Sequence, residues 1–216
     1  MKSLKQKLTE NLQLPHTSID LLPISSLFPA EGIAAGSIIE LLGASHSGKS
    51  YLSYMLAINT IIQSKFKSKV IYIDTKNYFD PRQCTNLSHE LLDKLNMDNS
   101  STFDKILTNL ILIKPGNWKE YINLIVGSLP QYLKENPQVE LVIIDEFLQL
   151  NKLAEGQISD NLRIQLMPQI SQSILNLVKL NSKLSIITCS KILLPQFNSQ
   201  IDKFNFNRII NTNTGN

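Results

Sequence analysis

The 216 residues fit one core of ordinary size plus a short arm, since single cores run to about 100–200 residues. Apolar residues make up 43% and charged residues 18%, which supplies a core and excludes a disordered chain. Lys and Arg exceed Asp and Glu by 21 to 18, and a net +3 does not by itself announce a nucleic-acid binder, so DNA contact has to be local.

Met1 to Glu10 alternates Lys with polar residues where a signal peptide would carry an apolar stretch, and no apolar run reaches the ~18 residues of a membrane span; a soluble, intracellular protein is expected. Residues 1–30, with Pro15, Pro23 and Pro29 among short Leu and Ile clusters, read as an arm lying on a domain. The domain is assigned to residues 31–204. Ile38 to Leu42 form a short apolar run ending at Gly43, the pattern of a strand buried on both faces. Leu52, Met55, Leu56 and Asn59 then fall at helical spacing within Lys49 to Gln63, and Val70 to Ile73, stopping at Asp74, completes a β-α-β unit. A helix face of Leu87, Leu91, Leu92 and Leu95 follows, then a third strand over Leu110 to Ile113 with its turn at Pro115-Gly116.

Trp118, Tyr121, Ile122, Ile125, Leu129 and Tyr132 recur three and four apart, a helix whose aromatic residues read as core packing, ended by Pro137. Leu141 to Ile144 is the most apolar strand; a helix over Gln165 to Leu180, begun or kinked at Pro168, and a fifth strand over Leu184 to Thr188 complete the series. Strands alternating with helices predict an α/β fold with a mainly parallel sheet and helices on both faces. Residues 205–216, rich in Asn and Thr and without periodicity, read as a loose tail. Cys84 and Cys189 are too far apart in sequence for a metal knuckle and are expected as free thiols.

Chemistry concentrates in Gly43-Ala44-Ser45-His46-Ser47-Gly48-Lys49-Ser50, a complete G-x-x-x-x-G-K-S between a predicted strand and a predicted helix. Its glycines let backbone N–H groups face a hollow that the helix N-terminus also addresses, so a triphosphate fits there. Lys49 would neutralise the β and γ oxygens, and the Ser50 hydroxyl would be an Mg²⁺ ligand. The second metal-side carboxylate is Asp145, at the end of the most apolar strand, as in a Walker B site. ATP and Mg²⁺ are therefore the expected ligands.

The run Gly32 to Gly43 leading into the phosphate loop, Val70-Ile71-Tyr72-Ile73-Asp74-Thr75 with Phe79, Pro81 and Arg82, and Ile186-Ile187-Thr188 together resemble the RecA-type recombinase core over roughly Pro29 to Leu194. The likeness is closest to the small eukaryotic recombinase paralogues that lack an N-terminal helical domain. It implies a RecA-like P-loop NTPase core whose C-terminal hairpin is abbreviated after Lys191, which speaks against self-assembly into a long filament. In active members the residue after the Asp-Thr pair is a glutamate that activates water; this chain has Lys76, a cation expected to hold phosphate. Glu146, after Asp145, is the alternative catalytic base, and Asp145-Glu146-Phe147-Leu148-Gln149-Leu150 is also similar to the replicative helicases of this fold. Cys189-Ser190 stand where the family commonly carries a glutamine sensor. DNA contact is assigned to Lys152 and Arg163 in the loop from Asn151 to Arg163, and to Lys191.

The resemblance implies an ATP-binding accessory protein of homologous recombination, in the nucleus, partnered by other recombinase paralogues and the strand-exchange recombinase, with single-stranded DNA as a further contact. Two alternatives stand beside it: a DNA-dependent ATPase or helicase-like motor using Glu146, and a RecA-fold scaffold subunit with a vestigial nucleotide site.

Overall fold

Five runs of Val, Ile and Leu form strands, and the longer stretches between them, with apolar residues three and four apart, form helices that cover the sheet. A computed structural model describes residues 16–17, 33–97, 99–147 and 159–191. A short antiparallel pair, β1 (His16–Thr17) with β2 (Ile33–Ala34), precedes the main sheet. That sheet contains β3 (Ile38–Gly43), β4 (Lys69–Asp74), β5 (Leu110–Ile113), β6 (Val139–Asp145) and β7 (Ser185–Lys191), all parallel, in the order β3-β7-β6-β4-β5. The helices are α1 (Lys49–Gln63), α2 (Pro81–Lys94), α3 (Asn99–Asn109), α4 (Trp118–Asn123), α5 (Leu129–Glu135) and α6 (Asp160–Leu180).

The pleat divides the core into two layers. Val70, Tyr72, Leu141 and Ile143 face α1, α2 and α3, where Tyr54, Met55, Leu91, Leu92 and Ile106 are buried. Ile71, Ile73, Val142, Ile144 and Ile186 face the other way, onto Tyr121, Ile125, Leu129, Ile170 and Ile174. Each such aliphatic side chain contributes roughly 1.5–3 kcal/mol when fully buried, so the central strands are the most strongly held part of the molecule. This is the expected α/β core with a parallel sheet between helices.

Several elements differ from expectation. β3 was expected to be covered on both faces, but it is an edge strand, and Ile38, Glu40 and Leu42 are only half-buried. α3 was not foreseen. The helix expected from Trp118 to Tyr132 is interrupted by a π turn at Leu124–Ser128, because Pro130, in the first turn of α5, has no N–H to donate to the preceding turn. α6 begins at Asp160, behind a Ser159 cap whose side chain accepts the Leu162 N–H at 3.3 Å, and carries Pro168 inside it. β7 continues past Thr188 to Lys191. Among the described residues no helix is long and apolar enough to cross a membrane. Apart from His16–Thr17, the arm assigned to residues 1–30 lies outside the described residues, as do Lys152 and the tail assigned to 205–216.

Candidate functional site

Parallel strands bring their C-terminal ends to one edge of the sheet, where open α/β folds bind ligands. At that edge β3 runs into the loop Gly43–Ser50 and then into α1. Gly48 takes a left-handed φ of +87° as the residue before α1, a conformation that favours glycine; His46, at +61°, occupies the same region at the exposed tip. No side chain caps α1 and its first turn holds no acid, so its leading N–H groups are free of a competing carboxylate. Lys49 is buried, with Nζ donating to the carbonyls of Gly43 at 3.0 Å and Ala44 at 2.7 Å and to the Ser47 hydroxyl at 3.4 Å. Burial lowers its pKa below the ordinary lysine value, opposed first by the nearby Glu146 carboxylate.

Asp145, buried at the end of β6, accepts hydrogen bonds on Oδ2 from Ser50 Oγ at 3.1 Å and from the Tyr72 hydroxyl at 2.9 Å. Burial raises the Asp145 pKa above the ordinary aspartate value, while the Tyr72 and Ser50 hydrogen bonds pull it down. Ser50 and Asp145 thus present two hard oxygen donors side by side next to an anion-accepting loop. Mg²⁺ bound with phosphate uses such a set, keeping water in its remaining positions. Among the described residues no cluster of three or more His, Cys, Asp or Glu forms a metal cage, and this mode needs none. The residues present therefore fit a magnesium nucleotide: Lys49 and the loop amides for phosphate, Ser50 and Asp145 for the ion.

Lys76 and Glu146 also meet here. Asp74 and Asp145 are register partners on β4 and β6, and the Thr75 hydroxyl donates to the Asp145 carbonyl at 2.6 Å and the Glu146 carbonyl at 3.3 Å, so the two strands leave the sheet together. The Asp74 carboxylate accepts the N–H groups of Lys76, Tyr78 and Phe79 at 3.2, 3.1 and 2.8 Å and so shapes the turn that carries Lys76. Lys76 Nζ then lies 2.5 Å from Glu146 Oε1, with side-chain exposures of 15% and 7%. Glu146 has a left-handed φ of +60°, costly for a non-glycine residue, and its buried Oε2 has no hydrogen-bond partner among the described residues. The Phe147 N–H, bonded to the Cys189 carbonyl at 2.8 Å, fixes the chain just beyond.

The sequence motif thus brings Gly43, Ala44, Ser45, His46, Ser47, Gly48, Lys49 and Ser50 together with Asp145, Glu146 and Lys76 in one place. Lys191 is exposed and paired in register with Gly43, at the mouth of the phosphate loop. Arg163 belongs to α6 and not to a loop. Cys189 is buried, 3.1 Å from Ser53 Oγ, and burial pushes its thiol pKa up. Sequence reasoning missed Tyr72 and Thr75; the available signal was a hydroxyl-bearing aromatic in an otherwise aliphatic buried strand, which needs a polar partner.

A sequence model of the Rad51 family matches residues 24–200 of this chain. Among curated proteins, the chain is similar to a protein of Methanobrevibacter smithii named DNA repair and recombination protein RadB, 26% identical over 123 residues. That match covers 56% of this chain and 46% of the relative, so the chain spans about half the length of that relative.

Proposed function

The chain belongs to the Rad51 family, and from that premise we propose that it is an ATP-binding accessory protein of homologous recombination and DNA double-strand break repair. In this reading it binds Mg²⁺-ATP, hydrolyses it weakly or not at all, and works in a hetero-oligomer with other recombinase paralogues. That complex supports assembly of the strand-exchange recombinase on single-stranded DNA. The motif likeness to small eukaryotic paralogues, the X-ray-repair cross-complementing type two protein among them, carries the proposed nuclear location. The exposed Lys191, together with Lys152 and Arg163, supplies the proposed local, salt-sensitive DNA contact.

One observation carries the reading: a complete phosphate loop beside an ion pair that disables both positions for a water-activating carboxylate. Lys76 fills the first position with a cation, and at 2.5 Å it neutralises Glu146, which fills the second. One Glu146 oxygen is occupied by the Lys76 ammonium and the other is buried, so neither is presented to a water, whereas the groups that would grip phosphate remain in place. Bound nucleotide then acts as a structural ligand that stabilises the folded state.

Calorimetric titration of the whole chain with Mg²⁺-ATP tests this, with phosphate release measured with and without single-stranded DNA. Binding is expected, weakened at least about tenfold in Lys49→Ala through loss of a charged contact, with turnover near background. DNA-stimulated turnover abolished by Glu146→Gln would establish the motor reading instead. A Lys49→Ala variant with unchanged affinity and unchanged partner assembly would establish the vestigial scaffold.

A further inference from the structure

At the sheet edge Lys49 lies within the electrostatic reach of Lys76, Asp145 and Glu146. Ser50 ties the helix behind the phosphate loop to Asp145, and Thr75 ties the Lys76 turn to Asp145 and Glu146, so the Lys76–Glu146 pair borders the hollow that Lys49 serves. Electrostatic influence of Glu146 and Lys76 on the Lys49 ammonium agrees with that placement. Within the pair the two partners are unequally satisfied. Glu146 has one buried oxygen without a partner among the described residues and a strained backbone, while the ammonium of Lys76 has three N–H donors and is the more exposed of the two.

We propose that Lys76 is the triphosphate-selective residue of this site, and that Glu146 regulates it by competing with the terminal phosphate for the same ammonium. The inference rests on the nucleotide-binding reading above and deepens it. A phosphate beyond the β position offers Lys76 a doubly charged acceptor, so Lys76 directs a second N–H to that group while still holding Glu146. A diphosphate offers no such group, and Lys76 stays with Glu146. Glu146 is thereby an antagonist of triphosphate binding, the opposite of a residue that assists it, and its charge weakens triphosphate affinity while leaving diphosphate affinity alone.

The test compares Mg²⁺-ADP with the non-hydrolysable analogue Mg²⁺-adenylyl imidodiphosphate by titration calorimetry on the full chain. Glu146→Gln should tighten analogue binding by about tenfold, the effect of freeing one charged contact, with ADP affinity changed by less than about threefold. Lys76→Met alone would leave a buried, unpaired carboxylate and threaten the fold. The informative variant is therefore Lys76→Met/Glu146→Gln, which removes both charges, and whose melting curve reports whether it is folded. In it the analogue's advantage over ADP should fall about tenfold from that of Glu146→Gln. If Glu146→Gln leaves analogue affinity unchanged or lowers it, or moves both nucleotides equally, the inference is overturned while the nucleotide-binding reading stands. If the wild-type chain binds neither nucleotide, both fall together.

Discussion

Tyr72 shows how much of the site depends on single side chains outside any motif. Its ring packs with Tyr54 and Phe79 at centroid distances of 5.4 and 5.2 Å, and burial pushes its hydroxyl pKa well above the ordinary tyrosine value, so the group remains a donor. The hydroxyl donates to Asp145 Oδ2 at 2.9 Å, the same oxygen that accepts from Ser50. Tyr72→Phe keeps the ring and deletes the donor; a hydrogen bond to a charged group contributes about 1.5–3 kcal/mol, so the urea midpoint should fall by that free energy divided by the slope, with the slope unchanged. A midpoint equal to wild type would mean that Asp145 needs no support from β4. The phosphate loop was legible because eight consecutive residues carry it, and Asp145 because an apolar strand must end where it meets a ligand. The Tyr72–Asp145 bond and the Lys76–Glu146 pair were not, since each joins residues about seventy apart and depends on β4 lying beside β6.

At the scale of elements, local chemistry that repeats was readable and local chemistry that is thin was not. α1 was bounded correctly because its apolar face is long and its N-terminus is fixed by the loop motif. α3 was missed because, among its described side chains, only Thr102 and Ile106 are buried, with Phe103 half-buried, and it passes into β5 without a turn. The π turn was missed because side-chain spacing reports which face is apolar, not whether each backbone carbonyl has a donor; Pro130 breaks the ladder while the face continues. α2 is set by its first residues. Asp80 accepts the N–H groups of Arg82 and Gln83 at 2.9 and 3.2 Å, Pro81 occupies the first turn, and the Asp80 N–H reaches the Tyr54 hydroxyl at 3.0 Å. Asp80→Ala should therefore cost about 1 kcal/mol, seen as a lower melting temperature. Because Asp80 sits only four residues after Lys76, the variant should also loosen the turn, read as faster amide exchange at Tyr78 and Phe79. Exchange unchanged at those two amides would separate the cap from the turn.

Across the whole molecule, alternation of strands and helices revealed the class of sheet but not its order, because a right-handed crossover fixes which way the chain turns and not how many strands it skips. The skip matters: β7 inserts between β3 and β6, which puts the phosphate loop and Asp145 two strands apart, with the buried Cys189 and Ser190 of β7 between them. The two ends of the sheet consequently have different duties. Glu140 and Ser185 lie toward the end away from the phosphate loop; Gly43, Asp74, Asp145 and Lys191 lie at the other. A ligand held at the second end stabilises the entire fold against global opening, by about 2.7 kcal/mol at a hundred times its dissociation constant, but it suppresses local opening only where it makes contact. Hydrogen exchange with saturating Mg²⁺-adenylyl imidodiphosphate should slow amides of Gly43–Ser50 and of Thr75 to Asn77, which lie outside the deepest core. The β5 edge strand and the turn at Ser182 and Lys183 should keep whatever local opening they have. Protection spread evenly over both ends would indicate a ligand that acts through global stability alone. No protection at the loop under saturating conditions would remove the phosphate loop from the binding site.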